Sequence, residues 1–392
     1  MAKSIKTYLK TAAKDYNSRS VNPPVVRAST ILFKTMQELR KHQKDIANNK
    51  DVEHWDYGRQ GTQTTVQLQK LLRGLEEAHQ VFLTPTGFSA VALAIMSICR
   101  PGDEIVISDG VYRPTQKLTD DLLKEFNVKA IWYNPNSFED LKNKITKKTK
   151  LIYVENPGSN TFEMQDLGKV VSLAKTKNIF TAIDNTWATA YFFKPLKLGF
   201  DIAITSATKY YSGHSDVMGG TVAVNKKVYK KVWWYNHVSG YRLSPDDAYL
   251  IIRGLRTLDI RMDKHQESTK KVINFLKSQK KISKILYPYK TLSKEFKLWK
   301  KYYSGASGLL SLIIKSKSKN SVYKFVNSLE IFGIGYSWGG FESLVVYTDP
   351  VELGTRRFFK FEKNEHLVRL HIGLEDPKDL INDIKSSLKF IK

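Results

Sequence analysis

The sequence predicts an α/β fold: a large domain on a mostly parallel sheet, followed by a smaller α+β domain at the C-terminus. Three observations predict it. Between about residue 80 and 225, short apolar, β-branched runs alternate with longer amphipathic stretches. Strand–helix alternation of this kind gives parallel strands covered by helices on both faces. After Leu258 the pattern changes to one long helical stretch and then short strands separated by helices. Finally, 392 residues with 42 % hydrophobic and 26 % charged side chains form a globular chain long enough for more than one domain.

Taken in order, residues 1–60 show no sheet pattern and carry Pro23-Pro24, which reads as an extended arm. Residues 61–258 form the large domain. Its strand candidates are 81–83, 104–108, 128–133, 150–155, 179–184, 201–205 and 221–224; its helix candidates include 88–98, 114–126, 137–144 and 167–177. Residues 259–392 form the smaller domain, with a helix over 261–279 and strands over 308–315, 344–347 and 367–372.

The formal charge is +25, from 49 lysines and 14 arginines against 38 acidic residues. A pI near 9.7 raises nucleic-acid binding as a function. The excess is lysine, whereas base and phosphate recognition favour the arginine fork. No reading motif and no arginine–aromatic cluster accompanies it, and the densest stretch, 264–301, is helical. The expectation is a solvated surface that steers anionic small molecules, with no dedicated nucleic-acid or membrane partner. One cysteine, Cys99, lies in an apolar run and excludes an intrachain disulfide framework. No apolar run has the length of a membrane helix, and the N-terminus has no secretory h-region. A cytoplasmic setting is expected.

Open parallel sheets bind ligands at the carboxyl ends of their strands. Three such ends are informative. Run 179–184 closes on Asp184. Run 201–205 leads into Ser206-Ala207-Thr208-Lys209. Run 81–83 leads into Thr84-Pro85-Thr86-Gly87-Phe88 and a helix. An acid, a lysine flanked by hydroxyls and a Gly-bearing turn at a helix start suit a phosphorylated aromatic aldehyde. The helix start offers N–H groups to phosphate, the acid holds a ring nitrogen protonated, and the lysine forms a Schiff base.

At this point the motifs become recognisable. Ser206-Ala207-Thr208-Lys209-Tyr210-Tyr211-Ser212-Gly213, running on to Gly219-Gly220, resembles the lysine signature of the Cys/Met-metabolism family of pyridoxal-phosphate (PLP) enzymes. Tyr57-Gly58-Arg59, Asp109-Gly110-Val111-Tyr112, Ile183-Asp184-Asn185, Arg253-Gly254-Leu255-Arg256 and Arg369-Leu370-His371-Ile372-Gly373 resemble its further motifs, and nearly the whole chain fits. The resemblance implies the PLP-dependent transferase-like fold of aspartate aminotransferase type. It implies that Lys209 carries PLP and serves as catalytic base, that Asp184 holds the pyridine nitrogen, and that Tyr112 stacks on the ring and shuttles protons. Gly87, Phe88, Ser206 and Thr208 would cradle the phosphate. Tyr57 and Arg59 would reach the phosphate of a neighbouring subunit, making the arm part of that subunit's site. Arg369 would grip the substrate carboxylate, and the assembly would be a homotetramer of catalytic dimers.

Within the family, Ser337-Trp338-Gly339-Gly340 resembles the bacterial cystathionine β-lyase branch, as does Gly61-Thr62 after Arg59; γ-active members usually have Ser-Leu-Gly-Gly. Ser337 and Trp338 are therefore expected beside the substrate. The implied reaction is cleavage of L-cystathionine to homocysteine, pyruvate and ammonia in methionine biosynthesis, with alanine racemisation as a side activity. The alternatives are a γ-lyase, γ-synthase or homoserine sulfhydrylase.

Overall fold

The structure, a computed structural model, describes residues 3–13, 19–48, 56–288, 293–349, 353 and 356–392. Seven strands form the first sheet: β1 (Gln80–Thr84), β2 (Glu104–Ser108), β3 (Lys129–Tyr133), β4 (Thr149–Glu155), β5 (Phe180–Asp184), β6 (Ile202–Ser206) and β7 (Gly220–Val224). Their order is β1-β7-β6-β5-β4-β2-β3. Only β7 is antiparallel to its neighbours, so the other six run parallel. The centre of the sheet is apolar because helices cover both faces. One buried cluster, with Val106, Ile183 and Ala203, lies on one face; another, with Ile105, Tyr153 and Val222, lies on the other.

The second sheet has five strands: β8 (Ile282–Leu286), β9 (Leu309–Lys315), β10 (Gly333–Ile334), β11 (Leu344–Thr348) and β12 (Glu365–His371). Their order is β10-β11-β12-β9-β8, and Arg369 on β12 sits opposite Val346 and Ser311. The helix Leu258–Leu276 links the two sheets, and the first buried cluster continues into Leu310, Val368 and Ile372. That shared core fixes the C-terminal sheet against the carboxyl ends of β5 and β6.

Three differences from the sequence expectation have local causes. The stretch read as an extended arm contains two helices, Ile5–Thr11 and Met36–Ala47. Ser4 and Thr35 cap them by accepting from the N–H groups of Thr7 and Glu38. The first helix docks on its own chain: Leu9 is fully buried, a contribution of about 2 kcal/mol. Tyr8 Oη also donates to the carbonyl of Leu71 at 2.9 Å. The helix expected over 114–126 has a π-wound central turn, Leu118–Leu122. Strand β8 was not expected, because its residues do not alternate cleanly between core and solvent. Cys99 is buried as expected, and burial pushes its thiol up to about 12, so it stays protonated.

Candidate active site

Lys209 stands at the centre. β6 ends at Ser206, and the next residues turn tightly, with Lys209 N–H donating to the Ser206 carbonyl at 3.1 Å. Lys209 Nζ donates to Ser337 Oγ at 2.6 Å and lies 5.4 Å from the centre of the Trp338 ring. Burial and the nearby Arg369 charge push its amine down to about 8, while Asp184 pulls the other way. About a tenth is therefore the free amine, the nucleophilic form, at pH 7, far more than for an ordinary lysine.

Asp184 closes β5, one strand over. Thr186 donates to its Oδ1 twice, from N–H at 2.9 Å and from Oγ1 at 2.5 Å, which leaves Oδ2 for a ligand. Burial still holds this carboxyl above its ordinary value, so a cationic partner is what it lacks. Thr186 Oγ1 also accepts from Ser206 N–H at 2.9 Å, tying the ends of β5 and β6 together.

The turn after β1 supplies the anion cradle. Thr86 caps the ten-residue helix Gly87–Met96 in a reciprocal capping box with Ser89. The first turn of that helix leaves free N–H groups, and its dipole favours negative charge there. Gly87 is required by close approach: a Cβ there would lie 2.4 Å from Ser206 Oγ. The chain thus brings the Ser206 hydroxyl to the helix start. Phe88 is exposed at its rim. Beside it, the Thr208 hydroxyl lies 3.2 Å from the Gly219 carbonyl and accepts from Gly219 N–H at 3.0 Å. It staples the lysine loop to the start of β7.

Tyr112 follows β2 and presents an exposed ring. Its N–H donates to Glu155 Oε2 at 2.6 Å, and Glu155 pairs in register with Asp184. Burial and then Glu155 raise the Tyr112 phenol, so it is protonated at neutral pH. On the opposite side Arg369 projects from β12, and its Nη2 donates to the Ser337 carbonyl at 3.2 Å. Burial lowers its guanidinium to about 10, still a full cation at neutral pH. Ser337, with φ of 91°, thus meets Lys209 through its hydroxyl and Arg369 through its carbonyl.

The structure therefore brings Lys209, Asp184, Ser206, Gly87, Tyr112, Ser337, Trp338 and Arg369 to one crevice. Tyr57 and Arg59 stand apart. They are exposed; Arg59 donates to the His237 carbonyl at 3.4 Å and lies 5.9 Å over the Tyr57 ring. Among the described residues no hydrogen bond or ion pair joins either to Lys209, Asp184 or Ser206. Sequence reasoning missed Glu155 and Thr186, and met Gly339 only as a motif position, without the reason for it. Glu155 was findable, since it ends the strand beside Asp184. The reason for Gly339 was not: its need for glycine comes from a backbone contact across the crevice.

These residues fit a phosphorylated pyridine aldehyde: a cradle a Cβ would fill, a buried carboxylate awaiting a cation, and an amine poised near neutrality. A lysine, an acid and a helix-start anion site on an open α/β sheet define a PLP-dependent enzyme. The profile described as "Cys/Met metabolism PLP-dependent enzyme" matches residues 6–389, and the chain belongs to that family. It is 33 % identical over 376 residues to the cystathionine β-lyase of Escherichia coli (strain K12), covering 95 % of this chain and 94 % of that protein. It is 34 % identical over 380 residues to the L-alanine/L-glutamate racemase of Wolbachia pipientis wMel, covering 95 % and 93 %. The crystal structure of cystathionine γ-synthase from Xanthomonas oryzae pv. oryzae, in complex with aminoacrylate and cysteine, superposes with a TM-score of 0.90. That match has 27 % identity and covers 100 % of this chain and 99 % of that one.

Proposed function

We propose that this PLP-dependent enzyme is a carbon–sulfur β-lyase that cleaves L-cystathionine to homocysteine, pyruvate and ammonia, serving methionine biosynthesis. One observation carries the choice within the family: Ser337-Trp338 faces Lys209, with the hydroxyl 2.6 Å and the indole centre 5.4 Å from Nζ. The identity to the E. coli β-lyase over nearly the full length supports the same reading.

Bound PLP supplies an electron sink for the carbanion at Cα. The rest is the work of the chain. Arg369 holds the substrate α-carboxylate by a bidentate ion pair. Asp184, with Oδ2 left open by Thr186, would hold the ring nitrogen of the cofactor protonated. The helix start at Gly87 and Phe88, with Ser206, would bind the cofactor phosphate, and Thr208 holds the loop beside it. Lys209, as a free amine, would act as the base that removes the Cα proton. Trp338 covers that amine and excludes water. The Cβ–S bond then breaks, and Tyr112, protonated at neutral pH, gives its proton to the departing thiolate. Water hydrolyses the remaining three-carbon enamine to pyruvate and ammonia.

We read residues 61–258 as the cofactor-binding domain and residues 259–392 as the C-terminal domain. Tyr57 and Arg59, both exposed, with Arg59 lying over the Tyr57 ring, suit contact with a neighbouring copy's phosphate; on this reading the enzyme is a tetramer of catalytic dimers. Its setting is the cytoplasm, and its lysine-rich surface has no dedicated nucleic-acid or membrane partner. Among the described residues no helix is long and apolar enough to cross a membrane.

The test is the keto acid formed from cystathionine by purified enzyme. Pyruvate with homocysteine supports the β-lyase; α-ketobutyrate with cysteine makes it a γ-lyase, and sulfide consumption a sulfhydrylase. A second reading, slow racemisation of alanine, is favoured by the full-length similarity to the Wolbachia racemase. Chiral chromatography that finds no D-alanine after long incubation at high enzyme concentration removes it.

A further inference from the structure

Two buried imidazoles lie behind the site and take no part in the chemistry above. His265 sits on the helix Leu258–Leu276, and His371 on β12, two residues past Arg369. Their ring centroids are 5.2 Å apart. Both rings pack against Tyr210, the residue after Lys209, at 5.2 and 5.9 Å.

Hydrogen bonds fix which nitrogens carry protons. His265 Nδ1 lies 2.8 Å from the Ile372 carbonyl. A carbonyl only accepts, so Nδ1 carries the proton and Nε2 is a bare lone pair. At His371 the polarity is reversed: the backbone N–H of Gly339 donates to Nε2 at 3.1 Å. Nε2 is then bare and Nδ1 carries the proton; the Gly340 carbonyl, 3.3 Å from the same nitrogen, is the longer contact. The two atoms left over, His371 Nδ1 and His265 Nε2, are buried and have no hydrogen-bond partner among the described residues, each other included. One is a donor and the other an acceptor, on adjacent rings, and buried polar groups are ordinarily paired. Burial pushes His265 down to about 4 and His371 well below its ordinary value, so both rings are neutral, as this polarity requires.

What the pair holds is the turn over 337–340. Ser337 and Gly339 have φ of 91° and 89°, in the region that favours glycine. A Cβ at Gly339 would come 2.9 Å from the Lys209 carbonyl carbon and the Tyr210 nitrogen, so the turn presses on the lysine backbone itself. Strained turns persist only where their surroundings over-determine them. Arg369 and His371, two apart on one strand and so on one face, grip the turn at the Ser337 carbonyl and the Gly339 N–H.

We propose that His265 and His371 form a neutral imidazole pair that positions the turn 337–340 against Lys209. The two rings touch, with centroids 5.2 Å apart; His265 is anchored to the Ile372 carbonyl and His371 to the Gly339 N–H. His371 is a positioning residue: it acts on Lys209 through Gly339 and Ser337. The proposal rests on Lys209 being the cofactor lysine.

Two variants of the holoenzyme test it. In His371→Gln the side-chain oxygen can still accept from Gly339; His371→Leu fills similar space and cannot. The expected loss in kcat/KM on cystathionine is about 100-fold for His371→Leu and under about tenfold for His371→Gln. PLP stays bound in both, and the pH midpoint of the cofactor absorption band moves by about one unit in His371→Leu alone. Equal losses with an unmoved midpoint overturn the pairing and leave packing only. If the variants do not fold, 15N NMR of histidine-labelled wild-type holoenzyme decides. Two neutral rings protonated on Nδ1, unchanged down to about pH 5, support the pair; an imidazolium or an Nε2-protonated His371 overturns it. A wild-type protein without the absorption band sinks the Lys209 assignment instead, which is a separate failure.

Discussion

The two walls of the crevice are built by different means. The large-domain wall is made of strand ends in ordinary backbone geometry. Asp184 closes β5, Ser206 closes β6, and Gly87 opens a capped helix, each fixed by ladder pairs or caps. The facing wall is an irregular turn with Ser337 and Gly339 at positive φ, held by contacts to Lys209, Arg369 and His371. A rigid wall suits a group that stays bound, whereas an over-determined turn suits the substrate that comes and goes. Altering the first wall should lower cofactor retention, and altering the second should lower turnover at full cofactor occupancy.

Four measurements sharpen or break that contrast, the largest effect first. Arg369→Leu removes the carboxylate grip, and kcat/KM should fall by about 10³-fold or more, mostly through KM, while the cofactor spectrum is unchanged. A loss of bound PLP in that variant would blur the two walls. Gly87→Ala drives a methyl group onto Ser206 Oγ, and cofactor affinity should weaken by about 10–100-fold, an overpacking cost of about 1–3 kcal/mol. Unaltered affinity by equilibrium dialysis would mean that the cradle lies elsewhere. Cofactor capture by the apoprotein should follow the Lys209 amine, whose value is about 8. Below that pH each unit protonates about tenfold more of the amine, so the capture rate should rise about tenfold per unit and then level off. A rate still climbing toward pH 10 would contradict a desolvated lysine. Ser337→Gly should relieve the strained φ and raise stability by up to about 1 kcal/mol while reducing turnover, since the Lys209 acceptor is lost. A thermal melt that shows destabilisation would count against strain in the turn.

Much of the first wall was legible in the sequence, because a parallel sheet places its chemistry at strand ends. Asp184 and Ser206 each end a short apolar run, and Lys209 follows within one turn. The second wall was legible only through the Ser337-Trp338-Gly339-Gly340 motif. The reason for its two glycines is a contact with residues about 130 positions earlier in the chain, and no local pattern encodes that. Glu155 and Thr186 escaped notice because their roles are set by register between neighbouring strands. The two N-terminal helices were hidden for another reason. Each is short, and the first is held by tertiary burial of Leu9. The +25 charge, at first the most conspicuous feature, contributes only Lys209, Arg369 and Arg59 to the proposed chemistry.

The central claim is that one amine, Lys209 between Asp184 and Ser337, carries the cofactor. Borohydride reduction of the purified yellow protein, followed by peptide mapping, tests it most directly. The account predicts one pyridoxyl group per chain on the peptide containing Lys209, and none on Lys209→Ala. A stoichiometric label on any of the other lysines would contradict it.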